Sequence, residues 1–299
     1  MSEQCLSRPP GAINAKIPCV SIGMPVFNGG KYIREALDSL LAQTFTDFEL
    51  IISDNASTDG TEAICREYEE KDSRIRYVRQ TENRGAAANF RFVLGEARGE
   101  YFMWAACDDV WDVKYIETLL LVSSAHQCVA YGSMQTIDAN GKKIMHPANN
   151  QKHKFTGSRF ARRLKFYIKP GFMGKSGPIY GIFPTCKLRE IDFLLLNSET
   201  GMIYSLLEHI EMRYAMTVSH YKRLHKDCLG GCVTPEIGKP DIFTRLLFFA
   251  RRVLLDTELF RYIRRSCAIE AVFLLAAYPI AVAYNLAYTV FFKMRKINL

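Results

Sequence analysis

Residues 18–110 predict an open α/β sheet with mostly parallel strands, and three observations carry that prediction. Short apolar or β-rich runs alternate with segments whose apolar residues recur at helical spacing. Turn chemistry separates the two kinds of segment. Polar and acidic residues gather just past the ends of the runs, where an open sheet of this class meets its ligands.

The elements follow in order. Residues 1–17 hold Pro9, Pro10 and Gly11 without periodicity and read as a lead-in. Cys19 to Val26 is an apolar run stopped by Asn28-Gly29-Gly30, a strand followed by a turn. Ile33, Leu37, Leu40 and Leu41 then recur at helical spacing, and Phe48 to Ile52 returns as a β-rich run. Thr61 to Glu70 is helical, Ile75 to Val78 a third strand, Ala86 to Ala97 a third helix and Tyr101 to Ala106 a fourth strand. Strand and helix alternate as in right-handed βαβ units. Beyond them Thr136 to Ile144, with its Asn140-Gly141 turn signal, predicts an antiparallel hairpin.

The strand ends carry the chemistry. The first delivers Pro25, Phe27 and Asn28, the second Asp54 and Asn55, and the fourth the adjacent carboxylates Asp108 and Asp109. An aromatic face at Phe27 can stack on a base, and Asp54 can accept from a base N–H. Each has a plainer alternative, a core aromatic for Phe27 and a helix N-cap for Asp54. Paired carboxylates suit a hard cation such as Mg²⁺ or Mn²⁺, which such sites share with substrate phosphates. Neither a Gly-x-Gly-x-x-Gly segment nor a Walker loop is present, which excludes a classical dinucleotide site and a P-loop.

The 299 residues carry a formal charge of +8, unevenly placed: Ala139 to Arg189 holds twelve Lys or Arg and no Asp or Glu. A basic surface of that kind attracts phosphates, and no helix-turn-helix, zinc-finger or stacking signature points it toward nucleic acid. Nine cysteines, mostly isolated, read as reduced thiols in a cytosolic setting. His225, Cys228 and Cys232 lack the four paired ligands of structural zinc.

Composition changes near the end. A domain over residues 1–229 gives way to a Gly- and Pro-bearing linker at 230–242 and a helical region at 243–299. Phe243 to Arg265 mixes Leu and Phe with six arginines, and Ala271 to Phe292 runs twenty-two residues without a charge. The first pattern suits an anionic membrane surface, and the second has the length to span a bilayer, although Pro279 and Asn285 interrupt it. A membrane-associated C-terminal segment and a catalytic part on the cytoplasmic face of the inner (plasma) membrane are the expectation.

Several stretches resemble a known family. Val20-Ser-Ile-Gly-Met-Pro-Val-Phe-Asn-Gly-Gly, Ser53-Asp-Asn-Ala-Ser-Thr-Asp-Gly-Thr, Glu82-Asn-Arg-Gly-Ala-Ala-Ala-Asn-Phe and Gly99-Glu-Tyr-Phe are similar to those of the inverting family 2 glycosyltransferases, of the bacterial surface-glycan type. The likeness spans residues 18 to about 145 and implies the GT-A (Rossmann-like) α/β fold. It further implies transfer of a sugar from a UDP- or dTDP-sugar to a hydroxyl of a lipid-linked or surface glycan, assisted by Mg²⁺ or Mn²⁺. By the same resemblance Pro25, Phe27 and Asn28 fall in the nucleotide pocket and Asp54 reads the base. Arg84 and Asn89 line the donor site, Asp108 and Asp109 contact ribose and metal, and His225 comes near the metal and diphosphate with Arg223 beside it.

Where many relatives read Asp-x-Asp-Asp, Ala106 takes the first acidic position here. The catalytic base of the family lies near residue 199, and Glu199 is the candidate, with Asp192 and Glu208 as competitors. Two other readings stand beside this one: a nucleotidyltransferase that forms sugar nucleotides, and a catalytically degenerate relative acting as a binding or scaffold subunit.

Overall fold

The structure is a computed structural model that describes residues 17–169, 174, 176–191, 199–225 and 279. Apart from Pro279, the linker at 230–242 and the helical region at 243–299 lie outside the described residues. Among the described residues no helix is long and apolar enough to cross a membrane.

The predicted alternation is realised nearly element for element. β1 (Val20–Val26), α1 (Ile33–Leu41), β2 (Phe48–Asp54), α2 (Thr61–Lys71), β3 (Ile75–Arg79), α3 (Ala86–Gly95) and β4 (Tyr101–Trp104) follow one another. The strands lie in the order β3-β2-β1-β4, all parallel, and β7 (Phe183–Pro184) closes the β4 edge antiparallel. Every residue of β2 is buried, because helices cover a parallel sheet on both faces.

Side-chain alternation splits the interior in two. Leu50, Ile52, Tyr101 and Met103 face a core built with Ile33, Leu37 and Leu40 of α1, while Ile51, Phe102 and Trp104 face Val93 and Leu94 of α3. Gly23 of β1 lets α3 come close, since a Cβ there would lie 2.7 Å from both Phe102 Cζ and Val93 Cγ2. Trp104 packs edge-on against Phe102 and Phe183, with ring centroids 4.8 and 5.7 Å apart.

The edge of the sheet opposite the strand ends is sealed by one buried acid. Glu49 accepts from Ser21 Oγ at 2.6 Å and from the Arg98 backbone N–H and guanidinium at 2.6 to 3.0 Å. Burial pushes its carboxyl up, but these hydrogen bonds outweigh burial and hold it below the usual range.

A second sheet was not legible in the sequence beyond its hairpin. It joins β5 (Val110–Trp111), β8 (Met212–Arg223) and β6 (Val129–Ile137) in the order β5-β8-β6. β8 runs parallel to β6, with a register shift between Tyr131 and Ser133, and antiparallel to β5. The predicted hairpin follows β6: Ile137 bridges Lys143, and Gly141 turns with φ +80°. α4 (Tyr115–His126) connects β5 to β6, and its Tyr115 hydroxyl donates to Tyr180 O at 3.1 Å. α5 (Arg159–Ile168), α6 (Thr185–Arg189) and α7 (Glu199–Leu206) complete the described fold.

Candidate functional site

The carboxyl ends of β1, β2 and β4 meet, as their sequences imply. Asn55 N donates to Val26 O at 2.8 Å, and Gly29 N donates to Thr61 Oγ1 at 2.9 Å, so the turns after β1 and β2 are stitched together. Gly29 also sits against Cys107, since a Cβ on it would lie 3.0 Å from Sγ. That contact brings the turn after β1 to the segment carrying Asp108. Asp59 clamps the junction by accepting from Gly30 N at 2.9 Å and Thr61 N at 3.0 Å. Burial pushes the Asp59 carboxyl up, but these bonds and the Thr61 hydroxyl outweigh it and hold it below the usual range.

The polar residues at these tips divide into two groups. Phe27 is 38% exposed at the end of β1, and Arg84 is exposed on the turn before α3 with a guanidinium that has no partner among the described residues. Pro25 is half-buried in register with Ser53. Asn28, with φ +53°, uses its side-chain oxygen on Thr58 N at 2.8 Å. These residues border the open edge.

Asp54 and Asn89 do not. Asp54 is 0% exposed; it accepts from Ser57 N at 2.8 Å, the Tyr77 hydroxyl at 2.6 Å and Arg79 Nη1 at 3.0 Å. These bonds hold the turn after β2. Asn89 is 4% exposed; it donates to Ser53 O at 2.8 Å and accepts from Ser53 Oγ at 2.5 Å, which makes it a tie between α3 and β2. Asn55 does similar work, accepting from Arg84 N at 2.9 Å and donating to Asn83 Oδ1 at 2.8 Å. It thereby fixes the turn that presents Arg84.

The adjacent acids part company. Asp109 is 2% exposed and spends both oxygens on β8, one on His220 Nε2 at 2.6 Å and one on the Arg223 backbone N–H at 2.8 Å. Asp108 sits on the turn between β4 and β5 and takes a different partner. Its Oδ2 lies 2.9 Å from His225 Nε2, and its side chain is 19% exposed. Burial and the adjacent Asp109 charge push the Asp108 carboxyl above its usual range, with His225 pulling against them.

Below this pair lies a basic, aromatic cradle. The His225 ring centroid is 4.7 Å from that of Tyr32, and the Arg223 guanidinium lies 4.7 Å from the same ring. Arg223, 1% exposed, also donates to Asp108 O at 2.9 Å and pairs with Glu35. The Tyr32 hydroxyl is buried without a hydrogen-bond partner among the described residues. His220, Tyr32 and Glu35 were invisible as site residues, because their partners lie up to 188 positions away in the chain. The only sequence signal was the proximity of Arg223 and His225 to each other.

Among the described residues no group of three or more His, Cys, Asp or Glu is placed to hold a metal. Asp108 and His225 are two such groups side by side, and the charge crowding on Asp108 is what a divalent cation relieves. The pair fits a cation that completes its shell with water and substrate phosphates. Asp109, beside them, directs one oxygen at His220 and the other at the Arg223 N–H of β8.

Glu199 opens α7, half-buried, and none of the described hydrogen bonds joins it to the Asp108 cluster. Asp192 lies outside the described residues. Glu208 pairs with Arg159 at 3.3 Å and Arg163 at 3.7 Å, which gives it a structural role. The five described cysteines are free thiols, and burial, aided by the Asp54 charge, pushes that of Cys65 up to about 12.

An open parallel sheet with an aromatic, an arginine and an acid–histidine pair on its carboxyl edge makes an α/β protein of GT-A-like architecture. The chain belongs to glycosyl transferase family 2, which it matches over residues 21–189. It is 37% identical over 134 residues to an uncharacterized glycosyltransferase of Rickettsia bellii, covering 43% of this chain and 19% of that one. To the glycosyltransferase GlyA of Streptococcus pneumoniae it is 36% identical over 100 residues, covering 33% of this chain and 14% of the relative. The chain thus spans well under half the length of these relatives.

Two solved structures share the fold. TarS 1-349 of S. aureus, in complex with UDP-GlcNAc, aligns with a TM-score of 0.55 at 20% identity, over 89% of this chain and 71% of that one. The mannosyltransferase PcManGT of Pyrobaculum calidifontis, in complex with GDP-Man and Mn²⁺, aligns with a TM-score of 0.55 at 18% identity, over 96% and 80%.

Proposed function

We propose that the protein transfers a sugar from a nucleotide-diphosphate donor, a UDP- or dTDP-sugar, to a hydroxyl of a lipid-linked or surface glycan, with inversion. The observation that carries this reading is the Asp108–His225 pair at the sheet edge, 2.9 Å apart and next to the turn that follows β1. Family membership makes sugar transfer the chemistry such an edge serves, and the complexes of TarS with UDP-GlcNAc and of PcManGT with GDP-Man and Mn²⁺ support a nucleotide-sugar donor.

In this reading Phe27 stacks on the base, while Pro25 and Asn28 shape the wall beside it. Arg84 supplies positive charge at the nucleotide. Asp108 and His225 hold Mg²⁺ or Mn²⁺, with Arg223 and Tyr32 fixing the imidazole in place. A bound cation would neutralise the charge that grows on the departing nucleoside diphosphate. Glu199 takes the proton from the acceptor hydroxyl as that oxygen displaces the diphosphate from the opposite face, which inverts the anomeric carbon. Asp54, Asn89 and Asp109 act at one remove, by fixing the strand tips.

The same reading puts the catalytic part at the cytoplasmic face of the plasma membrane, with residues 243–299 as the membrane-associated region. Deletion of residues 267–299 is expected to release the protein from membranes, which fractionation would measure. The central test is product release from a panel of nucleotide sugars by membranes carrying the protein, with and without Mn²⁺. Metal-stimulated release from one donor is the expected result, and no release from any donor would defeat the reading.

One observation favours a second reading, a binding subunit without turnover. Ala106 stands where many relatives carry an acid, and Asp109 hydrogen-bonds to β8, which leaves Asp108 as the less buried of the adjacent acids. Calorimetry separates the two: metal-dependent donor binding with no transfer to any lipid acceptor would favour the binding subunit.

A further inference from the structure

The hairpin after β6 presents an unusual surface. Asp138 N donates to Lys142 O and Ile144 N to Thr136 O, each at 2.9 Å, which closes a tight turn on Asn140 and Gly141. Lys142 and Lys143 are exposed, and neither forms an ion pair among the described residues; Lys143 Nζ sits 5.3 Å over the Tyr221 ring. The one acid of the turn, Asp138, directs Oδ1 at the backbone N–H groups of Asn140 and Lys142, both at 2.9 Å. Met145 follows with 90% of its surface exposed. Lys152 and Lys154 are exposed in the next stretch, and no Asp or Glu occurs from Ala139 to Arg189 to neutralise any of them.

The turn is also rigidly tied to the site. Leu224 N donates to Ile137 O at 2.9 Å, and Arg223 Nη1 reaches Asp138 O at 3.4 Å and Ala139 O at 3.3 Å. The same Arg223 holds the backbone of Asp108, and His225 lies one residue beyond Leu224. A force on the hairpin is therefore borne by the strand that presents His225.

We propose that the turn Asp138–Met145 docks on an anionic lipid bilayer and so sets the cleft against the membrane. Lysines beside an unpartnered, flexible apolar side chain are what an interfacial contact needs, with ammonium groups at the phosphates and the methionine just below them. A nucleic-acid strand would instead call for exposed aromatic faces among the lysines, and the tip carries a thioether. The docking surface rests on the lipid-linked acceptor of the proposed function.

The test is sedimentation of the full chain with phosphatidylcholine vesicles, with and without phosphatidylglycerol, at low and high salt. Each basic residue near an anionic surface contributes about fivefold to partitioning. Lys142→Gln/Lys143→Gln is expected to weaken binding to phosphatidylglycerol vesicles by about 25-fold at low salt, and Met145→Asp to weaken it as well. Unchanged partitioning of both variants would overturn the proposal. UDP titrations on the same variants keep the two readings apart. A chain that docks through this turn yet binds no nucleotide sugar retains the surface and loses the transferase, and one that binds nucleotide with wild-type docking in every variant does the reverse.

Discussion

Replacing Asp109 and Asp108 in turn separates scaffold from site. Asp109→Ala strips partners from the His220 ring and the Arg223 N–H, both nearly fully enclosed. A buried polar group left without its hydrogen bond costs about 1–3 kcal/mol, so the two together cost about 2–6 kcal/mol. That is a large part of the ~5–15 kcal/mol that holds a typical domain. At ~3 kcal/mol per molar, a loss in the middle of this range lowers the urea midpoint by about 1 M. Asp108→Ala removes one bond from a largely buried pair, worth about 1 kcal/mol, and relieves the repulsion between the two acids. Its urea midpoint should stay near wild type while Mn²⁺-dependent UDP binding, followed by calorimetry, disappears. An Asp109→Ala protein that unfolds at the wild-type midpoint, or an Asp108→Ala protein that keeps its metal-dependent binding, would refute the division of labour.

Three further outcomes are expected. Glu199→Gln should leave UDP binding intact and remove sugar transfer; transfer at the wild-type rate would exclude Glu199 as the base. Because Glu49 is held below its usual pKa in the folded chain, its contribution is present at neutral pH and is lost as pH falls through the folded value, in the range below about pH 5. Urea midpoints measured against pH should therefore fall more steeply for wild type than for Glu49→Gln. Gly99→Ala should destabilise by about 1–3 kcal/mol, because a Cβ there would meet backbone atoms of Val20, Ser21 and Tyr101 at 2.6 to 2.9 Å. Gly60→Ala, with nothing within 4 Å of the added carbon, is the matched control in thermal melts.

The parallel sheet was legible because its signals are local. Fully covered strands are continuous apolar runs, amphipathic helices repeat within one turn, and each β1 or β2 ending is marked by Asn, Asp and Gly within a few residues. The same locality put Phe27, Asn28, Arg84 and Asp108 at one edge. β8 left little trace, because its burial is irregular and its partner in the sheet, β6, stands roughly eighty positions earlier and pairs with a register shift.

Sequence by itself thus determined the alternation of strands and helices, the family, and which acids and aromatics follow the strand ends. Only the tertiary structure decided what each of them faces. Asp54, Asn89 and Asp109 are drawn inward because a folded interior must satisfy every buried donor, and the Tyr77 hydroxyl, the Ser53 hydroxyl and the His220 ring supply those donors from distant segments. Asp108 sits on the turn between β4 and β5, and the segment just past β8 brings His225 to meet it.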